Sequence, residues 1–270
     1  MGKKIIMWSP VHGQSATTSN TVALASMFAL DEHYHSLLTH TQLTFSTLEH
    51  LYTKGERAGF DDGGMEALER LVKSKLLKAE AIPDYTDTIY KNRLDLLVGS
   101  KKEWENQGEA ENILRSILHV ASHHYDTLWI DAHSGTFNST TRALLKDADL
   151  VVVNLPQNAY VIDQFFSGGS FPAELEGKPY IVLISNYDDK SAYSVKNIKR
   201  SHKVKAPIYP ILYSTAFRDA SNQRGISDFF LRSMRAKRAE PVHAFIQSVR
   251  DVNKTIMKQL KLNHTEDDDL

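Results

Sequence analysis

Residues Lys3 to Ala25 read KKIIMWSPVHGQSATTSNTVALA, and the fold is decided in this stretch. Ile5-Ile6-Met7-Trp8 is a short apolar run of the kind that a sheet buries on both faces. Ser9-Pro10 and Gly13 interrupt it. Small hydroxyl residues up to Thr18 then open a helix whose apolar positions continue through Val22, Leu24, Ala25, Met27 and Phe28. Strand, small-residue loop and helix in this order make a cradle in which backbone N–H groups at the helix start face an anion. The sequence does not match the usual pattern for such a loop, G-x-x-x-x-G-K-[ST].

Outward from this stretch the same alternation repeats. Ser36 to His40 (SLLTH) predicts a second strand, followed by helical material broken at Gly55, Gly59 and the Asp61-Asp62-Gly63-Gly64 turn. Met65 to Leu77 carries a helical apolar stripe, Leu94 to Gly99 (LDLLVG) predicts a strand, and Glu109 to His123 a further helix. Tyr125 to Asp131 is an apolar strand ending in aspartate; Ala148 to Pro156, Lys178 to Asn186 and Ala206 to Leu212 supply more strands. Continuous apolar runs separated by helices predict an α/β, Rossmann-like, doubly wound sheet of about seven mostly parallel strands flanked by helices. We expect residues 1–262 to form a single domain that includes the last helix, and the acidic residues 263–270 to be a disordered tail. That last helix, Pro241 to Leu262, lines up Val242, Phe245, Ile246, Val249, Val252, Ile256 and Leu260, a stripe suited to packing on the sheet or a partner.

Composition narrows the classes. The chain has 270 residues, 41% of them hydrophobic, enough for a full core. A formal net charge of −1 gives no global attraction to nucleic acid or anionic lipid, so weak or no nucleic-acid binding is expected. Cysteine is absent, which removes disulfides and thiolate metal sites and suits a cytoplasmic protein. No apolar run approaches the roughly 20 residues that span a bilayer, and polar Ser9 and His12 to Thr18 interrupt any signal-like N-terminus.

The first loop resembles the deviant phosphate loop of the ParA/MinD family, K-G-G-x-G-K-T-T after the first strand. Laid on that pattern, Val11 takes the signature lysine's place, Gly13 keeps the second glycine, and Ser15 replaces the last glycine. Ala16 replaces the loop lysine, and Thr17 and Thr18 keep the threonines. Asp131-Ala132-His133-Ser134-Gly135 resembles the family's D-x-x-x-G element. The family's D-x-D after the second strand is here Thr39-His40-Thr41. The acidic-glycine turn, the helix ending in KSKLL and the LDLLVG strand look like the TadZ/CpaE branch, which places pilus or secretion machinery at the cell pole or membrane. The resemblance implies ATP or ADP with Mg²⁺, a homodimer, and peripheral rather than transmembrane contact with a membrane. It implies nucleotide contacts from Gly13, Gln14, Ser15, Ala16, Thr17, Thr18, Asp131, Gly135 and Asn186, with Thr17 and Asp131 serving the metal. With both lysines and the second-strand aspartate gone, much of the electrostatic stabilisation of phosphoryl transfer goes too. We therefore assign no catalytic residue and expect at most a slow ATPase. A partition ATPase of a plasmid or mobile element and a nucleotide-free scaffold are the alternatives.

Each candidate also has a plainer reading. Asp131 would serve as a strand-end cap, Gly13 as a turn glycine, Thr17 and Thr18 as helix caps, and Asn186 as part of an ordinary strand-to-loop transition. Lys190, Arg200 and Arg218 are cations that later loops offer in compensation, but the sequence does not place them. Tyr213 and Phe217 lie in Pro210 to Gly225, which resembles a base-covering loop. His119, His123 and His124 lack a metalloprotease spacing and read as satisfied or solvent-facing side chains. The basic runs Lys196 to Lys205 and Arg232 to Arg238 read as solvated faces.

Overall fold

A computed structural model describes residues 1–42, 46–52, 63–100 and 107–263. Its strands are β1 (Lys3–Trp8), β2 (Ser36–His40), β3 (Asp87–Tyr90), β4 (Leu94–Leu96), β5 (Thr127–Asp131), β6 (Leu150–Pro156), β7 (Tyr180–Tyr187) and β8 (Ile208–Leu212). They form one sheet in the order β3-β4-β2-β5-β1-β6-β7-β8, with every pairing parallel except β3 against β4. The helices are α1 (Thr17–Asp31), α2 (Gly64–Lys73), α3 (Gln107–Ala121), α4 (Ser139–Asp147), α5 (Ala159–Phe166), α6 (Val195–His202), α7 (Thr215–Asn222), α8 (Ile226–Ser233) and α9 (Val242–Leu260).

Alternation along the strands divides the core in two, because successive side chains leave a strand on opposite faces. Ile5, Met7, Trp129, Val152 and Leu183 join α1, α7, α8 and α9 on one face. Ile6, Trp8, Ile130, Val153 and Val182 join α2 to α6 on the other. Helix α1 is buried continuously from Asn20 to Ala29, which explains why it is apolar all round rather than striped. Its small residues let α9 approach closely enough for Asn253 Nδ2 to donate to the Leu24 carbonyl at 3.1 Å. Arg250 on α9 grips Asp31 at the end of α1 with two bonds of 2.8 and 2.7 Å.

The eighth strand corrects the expected count of about seven. β3 escapes the pattern because it is four residues long with Asp87 and Thr88 in it, and it returns through a tight turn in which Asn92 takes φ 57°. The helix expected to reach Leu77 ends at Lys73, with Lys75 in the left-handed region at φ 59°. The acidic tail 264–270, Gly55, Gly59 and Asp61-Asp62 lie outside the described residues.

The two central strands set the site. The chain leaves β1 towards β2, returns through β5, and crosses to β6 on the other side of β1. Such a reversal opens a crevice at the carboxyl ends of the strands, and the loop from Ser9 to Ala16 leaves β1 there. The α9 stripe is integral to the core, with Val249, Val252 and Ile256 fully buried. Ile256→Ala should therefore cost about 2–5 kcal/mol in urea unfolding; a loss under about 0.5 kcal/mol would show a loosely attached helix.

Candidate functional site

The loop after β1 is held by side chains while its tip stays open. Ser9 Oγ donates to the Val11 carbonyl at 3.0 Å, accepts from the Val11 N–H at 3.2 Å, and lies 2.8 Å from Ser15 Oγ. Gly13 sits at φ 74°, and a Cβ there would meet nothing within 4 Å. Ala16 precedes α1 in the left-handed conformation at φ 47°, ψ 34°, without a side-chain cap bond. A left-handed alanine costs about 1–3 kcal/mol and favours glycine. It also leaves the first N–H groups of α1 uncapped by side chains, as an anion cradle requires.

Asp131 stands beside that helix start. It is fully buried at the end of β5, and its Oδ2 accepts from Thr18 Oγ1 at 2.6 Å. Among the described residues Oδ1 has no hydrogen-bond partner of good geometry. Burial pushes its pKa up to about 6, against the lowering effects of the Thr18 bond, the nearby His40 and the Gln42 side chain. The threonine whose hydroxyl meets Asp131 is Thr18, one residue beyond the Thr17 expected to serve a metal with it. One helical step rotates a side chain by about 100°, and it is Thr18 that faces β5 while the Thr17 carbonyl is tied to Thr21 Oγ1 at 2.8 Å.

The loop after β5 is stitched to the loop after β1. The Gly135 N–H donates to the Ser9 carbonyl at 2.9 Å, and the Gly135 carbonyl accepts from Trp8 Nε1 at 2.9 Å. Gly135 needs its φ of 74° for this, and the His133 ring comes to 5.8 Å from the His12 ring. In place of the second-strand carboxylates, His40 pairs with Glu49 at 2.7 Å. His40 Nδ1 accepts the Gln42 N–H at 3.1 Å, which leaves the ring proton at Nε2 for Glu49. Gly99 is required beside this pair, since a Cβ there would fall 2.3 Å from the His40 ring.

On the other side of α1 lies a cavity of about 220 Å³ between the helix start, the end of β7 and α7. Ala16, Ser19, Asn186, Tyr213, Phe217 and Arg218 all border it, so Asn186 and the loop start share one space. Asn186 is left-handed at φ 48°, a conformation that asparagine tolerates better than most residues. The Arg218 guanidinium lies 4.9 Å above the Tyr213 ring. Lys190 and Arg200 do not border the cavity. Beneath it, Asn20 Nδ2 donates to Asn154 Oδ1 and Ser185 Oγ, both at 2.8 Å, a buried network joining α1 to β6 and β7. Sequence reading missed this network, because partners more than a hundred residues apart leave no local pattern.

Gly13, Gln14, Ser15, Ala16, Thr17, Thr18, Asp131 and Gly135 thus gather on or beside one loop, with Asn186 across the adjoining cavity. The donor set fits the implied ligands in part. A buried carboxylate with a free oxygen beside a hydroxyl suits a hard cation such as Mg²⁺, and the open helix start suits a phosphate. The loop itself supplies no lysine or arginine. His119 and His123 pack ring to ring at 4.9 Å on α3. Among the described residues no group of three or more histidines and carboxylates is placed to hold a metal. No described helix is long and apolar enough to cross a membrane.

The eight-stranded, mostly parallel sheet flanked by helices is the fold of ParA/MinD-type ATPases. The chain superposes on a ParA family ATPase from Chlorobium tepidum TLS with TM-score 0.68, at 12% identity over 94% of this chain and 98% of that one. A putative plasmid partition protein from Borrelia burgdorferi B31, bound to AMPPNP, gives TM-score 0.69 at 14% identity over 96% and 100%. The septum site-determining protein MinD of Pyrococcus horikoshii OT3, complexed with Mg-ADP, gives 0.67 at 14% identity over 96% and 99%. No protein-family sequence model matches the chain, and no curated protein sequence matches it.

Asp131 gives the site a measurable pH signature. Its folded pKa of about 6 exceeds the ordinary value of 3.8. The folded protein therefore holds this proton more tightly, and the ionised form costs stability as pH rises from about 4 to about 6. Between about pH 4 and pH 7, in Mg²⁺-free buffer, the stability of Asp131→Asn relative to the parent should move in the variant's favour by up to about 3 kcal/mol. A difference that does not change with pH would place Asp131 in a solvated environment.

Proposed function

We propose that this chain is an atypical ParA/MinD-like nucleotide-binding protein, weakly active or inactive as an ATPase, that positions pilus or secretion machinery. The observation that carries the nucleotide reading is the Thr18–Asp131 bond of 2.6 Å at an uncapped helix start beside a left-handed Ala16. It supports a loop register one residue later than the sequence pattern alone suggests. Ala16 then takes the last glycine's place, Thr17 the loop lysine's, Thr18 the metal hydroxyl's and His12 the signature lysine's. In this reading Asp131 and Thr18 hold Mg²⁺, whose charge would offset that of the phosphates. The backbone from Gly13 to Thr17 receives the β-phosphate, and Asn186 meets the base edge through its amide.

The chain's own groups bind and orient a nucleotide with little to stabilise a developing transition-state charge, since backbone donors alone supply only part of it. Slow turnover is the consequence. The positioning role draws on the TadZ/CpaE-like order of the middle of the chain, working through a homodimer or as a fixed scaffold. Phe137, wholly exposed two residues beyond Gly135, gives this edge an apolar contact point for a protein partner. The partition reading has one observation in its favour: Lys190 to Arg218 holds seven lysines and arginines and no carboxylate. Neighbouring genes for secretion ATPases and pilin-like proteins would favour the first role, and a gene for a centromere-binding partner the second.

Titration calorimetry with Mg²⁺-ATP on the parent and on Ala16→Gly/Thr17→Lys tests the reading. The parent should bind with a Kd in the micromolar range or weaker, about −8 kcal/mol or less favourable, and turn over below about one per second. The double variant relieves the left-handed alanine and restores the cation, so it should bind about tenfold tighter or better, about 1.4 kcal/mol. No heat from either protein would leave the scaffold role, and fast hydrolysis by the parent would overturn the inactive-enzyme reading.

A further inference from the structure

Two histidines from distant parts of the chain meet at the mouth of the crevice. His12 is exposed at the tip of the loop after β1, and His133 is half-buried in the loop after β5. Their ring centres lie 5.8 Å apart, with the planes tilted by 35°. His133 is held from three directions. Its N–H donates to Thr41 Oγ1 at 3.3 Å, its carbonyl accepts from Thr141 Oγ1 at 3.2 Å, and its Nδ1 lies 3.2 Å from Gln42 Oε1.

The contact with Gln42 fixes the tautomer. The Gln42 amide nitrogen is turned to the Ala132 carbonyl, at 3.5 Å, so the amide oxygen is the atom that faces His133. An amide oxygen only accepts. The His133 proton therefore sits on Nδ1, and the neutral ring keeps its lone pair at Nε2. A ring whose N–H is committed to a carbonyl is prepared as a metal ligand, because that bond sets its orientation and raises the basicity of the other nitrogen. Two imidazoles on one tetrahedral ion, each nitrogen about 2.0–2.1 Å from it, have ring centres about 5 Å apart. The observed 5.8 Å closes to that by a small turn of the exposed His12 side chain.

We propose that His12 and His133 bind a borderline transition-metal ion of the Zn²⁺, Ni²⁺ or Cu²⁺ class, and so fasten the tip of the β1 loop to the loop after β5. Imidazole nitrogens select this class, whereas Mg²⁺ takes oxygen ligands. The site thus differs in chemistry from the Thr18–Asp131 corner, and it stands whether or not a nucleotide binds. Two protein nitrogens leave the other positions to water, so the ion is an exchangeable ligand and the fold does not depend on it.

Zn²⁺ titration calorimetry in excess Mg²⁺, on the parent, His12→Ala, His133→Ala and His123→Ala, tests this. His123 is the control, since its ring and that of His119 pair at 4.9 Å through local spacing at the end of α3 and both are exposed. The parent should bind its tightest Zn²⁺ with a Kd in the micromolar range. His12→Ala and His133→Ala should each weaken that binding at least about tenfold, and His123→Ala should leave it unchanged. One equivalent of Cu²⁺ on the parent should show nitrogen ligation by electron paramagnetic resonance, reduced in His12→Ala. His12 is exposed, so His12→Ala should keep the parent's circular dichroism, and its loss of zinc then reports the site rather than the fold. No Zn²⁺ uptake by the parent, unchanged affinity in His12→Ala or in His133→Ala, or affinity lost in His123→Ala would each overturn the proposal.

Discussion

Asp131 lies at the end of β5 with no exposure, and among the described residues one of its two oxygens is satisfied, by Thr18. Burying a carboxylate this way is costly unless something pairs with it, and much of the crevice is arranged around that cost. Thr18 reaches it from the first turn of α1, which fixes how the helix start stands against β5. The neighbouring loop is bound back to β1 through Ser9 and Trp8, so the strand that carries the carboxylate and the strand that carries the loop form one unit. The free oxygen faces a chemistry the chain itself leaves incomplete.

Around this carboxylate the loop after β1 brings neither lysine nor arginine. In the register proposed above, His12 and Thr17 stand in the places of the two lysines, and the second strand ends in His40, paired with Glu49 at 2.7 Å. What remains is geometry: a left-handed residue before α1, an open glycine at the loop tip, and free helix N–H groups. Geometry of this kind binds anions without large charges, but it lends little to a transition state. The buried amide network of Asn20, Asn154 and Ser185 keeps the other side of α1 in register with β6 and β7, which holds the Arg218 cavity next to the loop.

The fold was largely legible because its strands are long apolar runs whose alternation serves two covered faces, and helices separate them regularly. β3 was not, since an edge strand with one neighbour needs few apolar side chains, and Asp87 and Thr88 interrupt any apolar run there. At the site, Asp131, Gly13 and Gly135 stood out by their positions at strand ends and turns. Which threonine meets Asp131 the pattern alone does not show, because it cannot tell where the helix begins. That depends on the backbone at Ala16, whose left-handed conformation gives no sign in its side chain. Arg218 was visible as a cation without a place: only the return of the chain through β7, β8 and α7 sets it beside Ala16.

The most direct measurement of the central claim is a crystal structure of the protein grown with Mg²⁺ and ADP. The account predicts the base between Asn186 and the Arg218–Tyr213 pair, the phosphates at the start of α1, and a metal within reach of Asp131 and Thr18. An ADP held elsewhere, or phosphates in the loop with the base outside the Arg218 cavity, would contradict it.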